Sequence, residues 1–337
     1  MPTDPTLDVY CLGNAIVDII ATCDDAFLEA NGIIKGAMNL IDADRAVSLY
    51  SAMGPAVETS GGSAGNTAAG AAALGARAAF SGKVARDQLG EIYRHDIHAL
   101  GVAFDTSALD GPPPTARSMI FVTPDAQRSM NTYLGACVEL GVADVEPSKA
   151  AGAAITYFEG YLWDPPEAKD MIRETARIAH ENGRRVAMTL SDSFCVERYR
   201  DEFRELIESG TVDIVFANAA EAKALYETEG LGEAVKHLAA DANLAAVTDG
   251  ANGSLLVHDN THFRVAAHPV DALTDTTGAG DLYAAGFLAA LARGADLEAC
   301  GRLGSFAAAK CIERVGPRPD PKLGEHARAA GLTDVRH

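Results

Sequence analysis

The sequence predicts an α/β fold: a doubly wound, mostly parallel central sheet flanked by helices, with a small β-rich lid. From about residue 153 to residue 312, short apolar strands alternate with amphipathic helices. Two glycine-rich turns each lead into a helix of small or apolar residues. Extra strand candidates within residues 14–42 and 115–135 do not fit this alternation. We therefore predict one domain over residues 1–337, with these two segments inserted in it as the lid.

The amino-terminal half supplies the first strands of the sheet and the lid. Strands are predicted at 7–12, 16–21, 36–41 and 77–81, and helices at 42–51, 63–74 and 87–100. Asp42 precedes its helix as an N-cap residue. Two strand-like runs, 117–123 and 128–133, flank the turn at 124–127 and predict a β-hairpin.

The carboxyl-terminal half carries the regular alternation. Strands are predicted at 155–158, 185–189, 214–217, 245–248, 255–258 and 262–266. Helices are predicted at 166–182, 200–209, 219–226, 231–240, 280–293 and 297–312. Because parallel strands need long crossover connections, this order predicts a parallel sheet that is covered on both faces.

The composition is that of a globular protein with an acidic surface. Of the 337 residues, 48% are hydrophobic and 22% charged, and the formal net charge is −19. Such a surface repels a phosphate backbone, so we expect neither a nucleic-acid partner nor an anionic membrane as partner. No run of about 18 apolar residues predicts a membrane span, and the first residues do not resemble a signal peptide.

The cysteines and histidines indicate neither disulfides nor a zinc site. Six cysteines lie mostly in apolar stretches, without a Cys-x-x-Cys pair. Reduced core thiols predict a cytoplasmic location. The nine histidines are scattered along the chain, and we find no persuasive zinc site among them.

The most informative motif is the segment 275–281, which leads from a polar turn into an apolar helix. Gly278, Ala279 and Gly280 leave backbone N–H groups open at a helix N-terminus, which favours an oxyanion. Asp281 follows them in the first turn of the helix. A carboxylate beside such an anion site predicts phosphoryl transfer, with Asp281 as the base. The alternative is that Asp281 only complements the helix dipole and that Asp275 is a cap.

A second glycine-rich cluster opens another helix. Gly61, Gly62, Ser63 and Asn66 allow backbone and amide groups to approach a polyol closely. No lysine follows, so the cluster is not a phosphate-binding P-loop. The alternative is a helix whose glycines provide clearance for packing on the sheet.

Two polar residues interrupt the early apolar run. Asn14 and Asp18 lie within residues 13–18, and a buried aspartate needs polar partners. Vicinal sugar hydroxyls would meet that need. The alternative is an Asx-turn at Asn14 and a capped Asp18.

Several weaker features complete the candidate site. Asn218 and Glu221 follow a strand and suit a Mg²⁺ and phosphate shell, although the same spacing forms an ordinary capping box. Candidate nucleotide contacts in the next strand–turn unit are Thr248, Gly250 and Gly253.

Arg128 lies on the predicted hairpin, where it can reach a phosphate. Tyr161, beside Trp163, is a candidate for an aromatic wall, with core packing as the alternative.

With both glycine-rich motifs in this order, the chain resembles the ribokinase-like (PfkB) carbohydrate kinases, and among them the adenosine kinases. The opening at residues 13–19 is similar to the nucleoside-binding start of those enzymes. The resemblance covers about residues 9–317 and implies the ribokinase-like fold with a lid over the sugar. It also implies ATP and Mg²⁺ as cofactors, with activation by a monovalent cation, usually K⁺.

The resemblance implies a role for each site residue. Asp281 would be the base, with Gly278, Ala279 and Gly280 as the anion hole. Arg128 would be the lid arginine that meets phosphate. The nucleoside would contact Asn14, Asp18, Gly61, Gly62, Ser63, Asn66 and Tyr161. The nucleotide side would comprise Asn218, Glu221, Thr248, Gly250 and Gly253, with Mg²⁺ in the shell of the first two and no direct protein ligand assigned.

The expected reaction is therefore phosphorylation of a nucleoside ribose hydroxyl, with adenosine and ATP giving AMP and ADP. The first alternative is a sugar kinase of the same fold that acts on ribose, fructose or a keto-sugar acid. The second is a non-catalytic protein that binds a nucleoside or nucleotide. The sequence leaves open whether the chain is a monomer or a homodimer.

Overall fold

The computed structural model describes residues 4–125 and 127–333. The strands are β1 (Leu7–Leu12), β2 (Ile16–Thr22), β3 (Met38–Leu40), β4 (Val57–Ser60), β5 (Ala78–Ser81), β6 (Ala116–Val122), β7 (Arg128–Tyr133), β8 (Ala153–Glu159), β9 (Arg185–Thr189), β10 (Ile214–Asn218), β11 (Leu244–Thr248), β12 (Ser254–His258) and β13 (Thr261–Val265). The helices are α1 (Asp25–Ala30), α2 (Ala43–Ala52), α3 (Ser63–Ala73), α4 (Gln88–Ala99), α5 (Pro147–Gly152), α6 (Pro166–Glu181), α7 (Ser193–Glu208), α8 (Ala219–Tyr226), α9 (Leu231–Asp241), α10 (Ala279–Ala292), α11 (Leu297–Ile312) and α12 (Leu323–Ala329).

The central sheet has eight strands in the order β13-β12-β11-β10-β9-β8-β1-β5. It is parallel from β11 to β5, and β12 and β13 pair antiparallel at one edge. The predicted fold class is confirmed. Because the strands are parallel, their carboxyl ends meet at one edge of the sheet, which is where α/β folds place their ligands.

Alternate residues of the central strands face two separate apolar layers. On β1, Val9 and Cys11 belong to the layer that includes α10 and α11. Tyr10 and Leu12 belong to the opposite layer, with α6 and α7. Residues with a period of two point to opposite faces of a strand, so an uninterrupted apolar run predicts burial on both faces. All six cysteines are free thiols, and Cys23 is the one that is only partly buried.

A second sheet of five strands, β3-β7-β6-β2-β4, forms the lid. Strands β6 and β7 form the predicted antiparallel hairpin, and β2 pairs parallel with β6. Residue 126 of the predicted turn lies outside the described residues. Helices α1 and α2 cover one face of this sheet through Leu28, Leu49 and Phe121. Four of the five strands fall within the predicted segments 14–42 and 115–135. The fifth, β4, is a short polar strand that the pattern did not predict.

Helix positions follow the sequence pattern closely, with a few differences. Asp42 is confirmed as the N-cap of α2, since its side chain accepts a hydrogen bond from the backbone N–H of Arg45. Helix α7 begins at Ser193 and is kinked at Tyr199, whereas the predicted helix began at residue 200. The short helices α1, α5 and α12 were not predicted. Within residues 4–125 and 127–333, none of the helices combines the length and the apolarity that crossing a membrane requires.

Close packing of α3 on α10 creates the candidate site. A Cβ at Gly70 would lie 2.6 Å from Leu282 Cδ1 and 2.7 Å from the Cβ of Ala285. The small residues of α3 therefore let the two helices approach closely, whereas the sequence analysis considered clearance for packing on the sheet. Their N-termini meet beside the carboxyl edge of the central sheet, under the lid.

Candidate active site

Asp281 lies where the two glycine-rich motifs meet. Ser63 Oγ donates a hydrogen bond to Asp281 Oδ1 (2.7 Å), and Asn66 Nδ2 donates one to Oδ2 (2.9 Å). Thr67 Oγ1 also donates to the backbone carbonyl of Asp281 (3.2 Å). Burial raises the pKa of Asp281, and these side-chain hydrogen bonds and the nearby Arg318 oppose that rise. The candidate base is thus held by the cluster that we expected to bind only sugar.

The N-terminus of α10 presents open backbone donors. Within residues 4–125 and 127–333, the N–H groups of Gly280 and Asp281 have no hydrogen-bond acceptor. Nothing lies within 4 Å of a Cβ placed on Gly280, so a ligand can approach this turn. Gly278 is the N-cap, with a φ of 78°. A Cβ there would lie 2.5 Å from the Cβ of Pro317. Asp275 is not the cap of this helix.

Asp18 faces the first glycine of the other motif. A Cβ on Gly61 would lie 2.5 Å from Asp18 Oδ2, so the carboxylate lies directly against the glycine backbone. The Asp18 side chain is 8% exposed and has no hydrogen-bond partner within the described part of the chain. Burial raises the pKa of Asp18 to about 6, against the charges of Arg318 and Arg128. The capped-Asp18 alternative is wrong, and the carboxylate is available for hydroxyl groups.

Glu159, at the end of β8, is a buried carboxylate that the sequence analysis missed. Its Oε1 accepts a hydrogen bond from the backbone N–H of Asn14 (3.0 Å), and its Oε2 accepts one from that of Ala64 (2.7 Å). Burial raises the pKa of Glu159 to about 7, against these backbone hydrogen bonds. A Cβ on Gly13 would lie 2.5 Å from Oε2 and 2.6 Å from the Cβ of Ala64, so a larger residue there would displace the Glu159 carboxylate or α3.

Glu159 joins three elements of the site through the two hydrogen bonds that its carboxylate accepts. It ties the turn between β1 and β2, which carries Asn14, to the first turn of α3 and to the central sheet. Gly62 adds to this junction, because a Cβ at its φ of 86° would lie 2.1 Å from the carbonyl oxygen of Asn14. The sequence contained a signal, since Glu159 is an acidic residue that ends an apolar strand.

Arg318 is the second residue that the sequence analysis missed. It lies between α11 and α12 and donates hydrogen bonds to the carbonyl oxygens of Ser60 (2.6 Å) and Gly65 (3.0 Å). Its charge acts on both Asp18 and Asp281. A single arginine between two prolines has no periodicity, so no local pattern indicated this position.

Arg128 reaches from the lid to the segment before α10. Its Nη2 lies 2.8 Å from Asp275 Oδ2, and both side chains are nearly buried. Neither Nη atom makes a hydrogen bond of good geometry within the described residues. Asp275 also accepts hydrogen bonds from Thr277 and from the backbone N–H of Gly316. Arg128 therefore lies beside the open helix terminus with donors to spare.

Tyr161 lies farther along the same edge of the sheet. Its hydroxyl donates to the carbonyl oxygen of Ser191 (3.5 Å), and its ring packs on the layer that contains Trp163. Burial raises the pKa of Tyr161. These contacts fit the core-packing alternative, and contact with the acceptor stays a prediction.

On the predicted nucleotide side, Asn218 and Glu221 form a complete capping box. Asn218 Oδ1 accepts a hydrogen bond from the backbone N–H of Glu221 (2.9 Å), and Glu221 Oε2 accepts one from that of Asn218 (2.9 Å). The Asn218 amide also donates to Glu221 Oε1. Burial raises the pKa of Glu221 to about 7. The alternative interpretation, an ordinary capping box, is confirmed, and both carboxylate oxygens of Glu221 already have partners.

The next strand–turn unit divides into an open and a closed part. Gly250 has a φ of 55° and nothing within 4 Å of a Cβ placed there. Gly253 is packed against β13, since its Cβ would lie 2.0 Å from the carbonyl oxygen of Val265. Thr248 ends β11, beside the carbonyl of Ala217. Gly253 is thus explained by packing, whereas Gly250 is open to solvent or a ligand.

A cavity of about 290 Å³ lies between the end of β13 and α11. Its lining includes Val265, His268, Arg302 and Ser305.

Residues 4–125 and 127–333 contain no group of three or more His, Cys, Asp and Glu side chains that could hold a metal ion.

These features match a known family of phosphotransferases. A profile described as "pfkB family carbohydrate kinase" matches residues 28–323. The chain belongs to the pfkB family of carbohydrate kinases. As a pfkB kinase it is a phosphotransferase that acts on a hydroxyl group, and it uses ATP. Mg²⁺ is generally required by such kinases.

Solved structures and curated relatives agree with this assignment. The crystal structure of adenosine kinase from Sinorhizobium meliloti is 66% identical, with a TM-score of 0.90, and the match covers 96% of this chain and 99% of that chain. A probable sugar kinase from Rhizobium etli CFN 42 is 58% identical, with a TM-score of 0.92 and 97% and 99% coverage. Adenosine kinase from Saccharomyces cerevisiae is 28% identical over 94% of this chain and 98% of the relative.

Proposed function

We propose that this pfkB kinase transfers the γ-phosphoryl group of ATP to a ribose hydroxyl of a nucleoside, with adenosine as the main acceptor. The observation that carries the proposal is the position of Asp281. The carboxylate is held by Ser63 and Asn66 from one motif, beside the open N–H groups of Gly280 and Asp281 in the other. A fixed base beside a fixed oxyanion site is what phosphoryl transfer needs.

In this mechanism Asp281 accepts the proton of the attacking hydroxyl. A carboxylate has about four lone-pair positions, and Ser63 and Asn66 occupy two of them. The others remain for the acceptor hydroxyl. The raised pKa of Asp281 brings it closer to the operating pH, which favours general base catalysis.

Asp18 and Asn14 would orient the acceptor sugar. Asp18 is a buried carboxylate without a hydrogen-bond partner in the described residues, and it lies against Gly61. Vicinal hydroxyl groups can donate to both of its oxygens. The sugar would then lie between the lid and the N-terminus of α3, with its reacting hydroxyl directed towards Asp281.

The developing charge on the γ-phosphoryl group would be stabilised by the α10 terminus and by Arg128. The predicted anion hole comprises Gly278, Ala279 and Gly280. The Ala279 N–H already donates to the carbonyl oxygen of Thr276 (3.2 Å), and Gly280 is the most open of the three. Arg128 keeps unused donors beside it. We infer that residues 1–337 act as one domain, whose lid segments, 14–42 and 115–135, close over the acceptor and exclude water.

We place ATP along the half of the sheet that ends in Thr248, Gly250 and Gly253. Mg²⁺ would travel with the phosphates, and Asn218 and Glu221 would organise its water shell. The ion would supply positive charge against the phosphate oxygens. Activation by K⁺ is part of the same proposal, and the assay below tests it by including or omitting K⁺.

The lid supports a nucleoside over a free sugar. The strand register aligns Leu40 with Thr132, Thr132 with Ser118, and Ser118 with Asp18. Leu40 and Met38 therefore lie on the same face of the lid as Asp18, and they are 55% and 46% exposed. Apolar side chains beside the sugar site offer a surface for a flat base, which a free sugar lacks.

A second candidate is phosphorylation of a free sugar such as ribose or fructose. The likeness to the probable sugar kinase from Rhizobium etli supports it. The polar part of the site, Asp18 with the glycine-rich turn, would serve either acceptor. The two candidates differ only in the use of the apolar lid face.

The test is ADP release from ATP and Mg²⁺, with and without K⁺, in the presence of adenosine, inosine, guanosine, ribose or fructose. We expect the highest kcat/KM with adenosine. A preference for ribose or fructose would replace the acceptor and leave the base and the anion hole intact. If none of the five acceptors supports ADP release, the proposal is contradicted. Thermal stabilisation by adenosine without any ADP release would then favour a binding protein.

A further inference from the structure

Arg318 binds both flanks of the turn that carries the first motif. Nε donates to the carbonyl oxygen of Ser60, and Nη1 donates to that of Gly65. Nη2 donates to the hydroxyl of Ser60. One guanidinium from the end of the chain thus spans the turn 61–64. It uses three of its five N–H donors for this purpose.

That turn lies between the two carboxylates of the cleft. Gly61, at its start, lies against Asp18, and Ser63, towards its end, donates to Asp281. A change in the turn would move both contacts at once. The planar fork of arginine fits two backbone carbonyls in a fixed relation, which a lysine ammonium cannot do.

Arg318 also provides positive charge where acidic groups cluster. Its own pKa is lowered by burial, and the groups that oppose this are Tyr93 and Asp96 of α4, Asp18 of β2 and Asp281 of α10. Arg128 is the other cation that acts on Asp18. The acidic groups that interact with Asp281 from other elements are Asp18, Glu159, Glu221, Tyr157, Tyr161 and Cys311.

We propose that Arg318 is a positioning residue: it holds the turn 61–64 between Asp18 and Asp281, and its charge allows both carboxylates to be ionised together. Asp281 must be ionised to accept a proton, and Asp18 binds hydroxyl groups best as a carboxylate. This role rests on the proposed kinase function. Nothing in the role requires Arg318 to contact either substrate.

The first test is the pH dependence of kcat/KM for adenosine in Arg318→Met, which keeps much of the side-chain volume. An opposite charge near a carboxyl group lowers its pKa by about 1–3 units. We therefore expect the acidic limb of the profile to move up by about one pH unit, with about a tenfold loss at the acidic end. An equal loss of kcat/KM at every pH would overturn the role of the charge. Arg318 would then only hold the turn 61–64 in place.

Two further variants separate charge from shape. Arg318→Lys retains the charge and loses the planar guanidinium group with its paired N–H donors. We therefore expect the acidic limb of the pH profile to stay near its wild-type position, while kcat/KM falls at all pH values. Arg293→Met is the matched control, because Arg293 Nη2 also donates to a backbone carbonyl of the α3 region, that of Leu74 (2.8 Å). A limb shift in the Arg293 variant would contradict the specific role of Arg318.

A measurement without substrate keeps this inference separate from the proposed function. Arg318 stabilises the carboxylates only while they are ionised, and the pKa of Asp18 is raised to about 6. This stabilisation is therefore present above that pH and lost below it. Asp96, whose pKa is lowered, is ionised at both pH 5 and pH 8 and adds no difference.

We expect Arg318→Met to lower the urea midpoint of unfolding more at pH 8 than at pH 5. The Arg293 control should show the same loss at both pH values. Equal losses for Arg318→Met would overturn the proposed charge coupling, whether or not the wild-type protein phosphorylates any acceptor. No ADP release with any acceptor of the panel, together with a larger loss at pH 8, would contradict the proposed acceptor alone.

Discussion

The proposed acceptor side and the proposed nucleotide side of the site are built in different ways. On the acceptor side, Asp281 is bound by Ser63 and Asn66, which lie more than 200 residues away in the chain. On the nucleotide side, Asn218 and Glu221 bind one another within a single helical turn. The acceptor side thus depends on the tertiary fold for its geometry, whereas the nucleotide side forms its polar contacts locally.

The glycines of the two sides show the same contrast. Gly61 gives room to the carboxylate of Asp18, which is a candidate ligand group. Gly253 gives room to the backbone carbonyl of Val265, which belongs to a neighbouring strand. Similar glycine-rich motifs therefore make room for a candidate ligand group in one place and for sheet packing in the other. Substitutions on the acceptor side should change catalysis more than those on the nucleotide side.

The largest expected effect is that of Asp281→Asn. Loss of the general base should lower kcat by about 10²–10⁴-fold, with a smaller change in KM for ATP. Steady-state ADP release measures both. Asp296→Asn is the control, since Asp296 caps α11 through the N–H of Ala299. Because asparagine caps a helix about as well as aspartate, this variant should leave both stability and kcat nearly unchanged. Near-normal turnover of Asp281→Asn would exclude it as the base.

Gly61→Ala tests the contact with Asp18. The added Cβ would lie 2.5 Å from Asp18 Oδ2 and must displace that carboxylate. Misplacement of a binding group by about 1 Å can cost about 10²-fold, so we expect such a loss in kcat/KM for the nucleoside. Gly54→Ala, which meets nothing within 4 Å, is the control. Equal activity of the two variants would show that Asp18 does not orient the acceptor.

Glu159→Gln tests the two hydrogen bonds that the Glu159 carboxylate accepts on the proposed acceptor side. A glutamine has one acceptor oxygen, so either the Asn14 or the Ala64 N–H loses its partner. An unpaired buried donor costs about 1–3 kcal/mol, which urea unfolding at pH 8 would detect. The exposed residue Glu139 is the control for an equivalent Glu→Gln change. An unchanged free energy of unfolding would mean that the two hydrogen bonds contribute little.

The smallest effect concerns Glu221 on the nucleotide side. Its folded-state pKa is raised to about 7, whereas an unfolded glutamate has a pKa of about 4.3. Between these values the folded state binds more protons, so the free energy of unfolding falls as the pH rises. Glu221→Gln keeps a capping-box residue and should flatten this slope.

The comparison is sharpened by measuring Glu221→Gln in two ways. Urea midpoints at pH 5 and pH 8 report the slope, and kcat as a function of Mg²⁺ reports the metal shell. A flattened slope with unchanged Mg²⁺ dependence would leave Glu221 with a capping role alone. An unchanged slope would contradict the raised pKa.

Much of the fold followed from local pattern in the sequence. The alternation of strands and helices after residue 153 and the hairpin at 117–133 agree with β6–β13 and α6–α11, apart from the earlier start of α7. Apolar period and capping residues act over a few neighbours, so they can be read directly. Strand β4 was not predicted because its four residues, three of them polar, show no clear period.

The sequence by itself determined the fold class, the two helix N-termini and the candidate base Asp281. Only the tertiary structure showed that Ser63 and Asn66 bind Asp281, that Glu159 ties Asn14 to α3, and that Arg318 binds the turn between Asp18 and Asp281. The physical reason is distance along the chain. A buried charge needs a partner, but composition and spacing cannot say which remote residue the fold will bring to it.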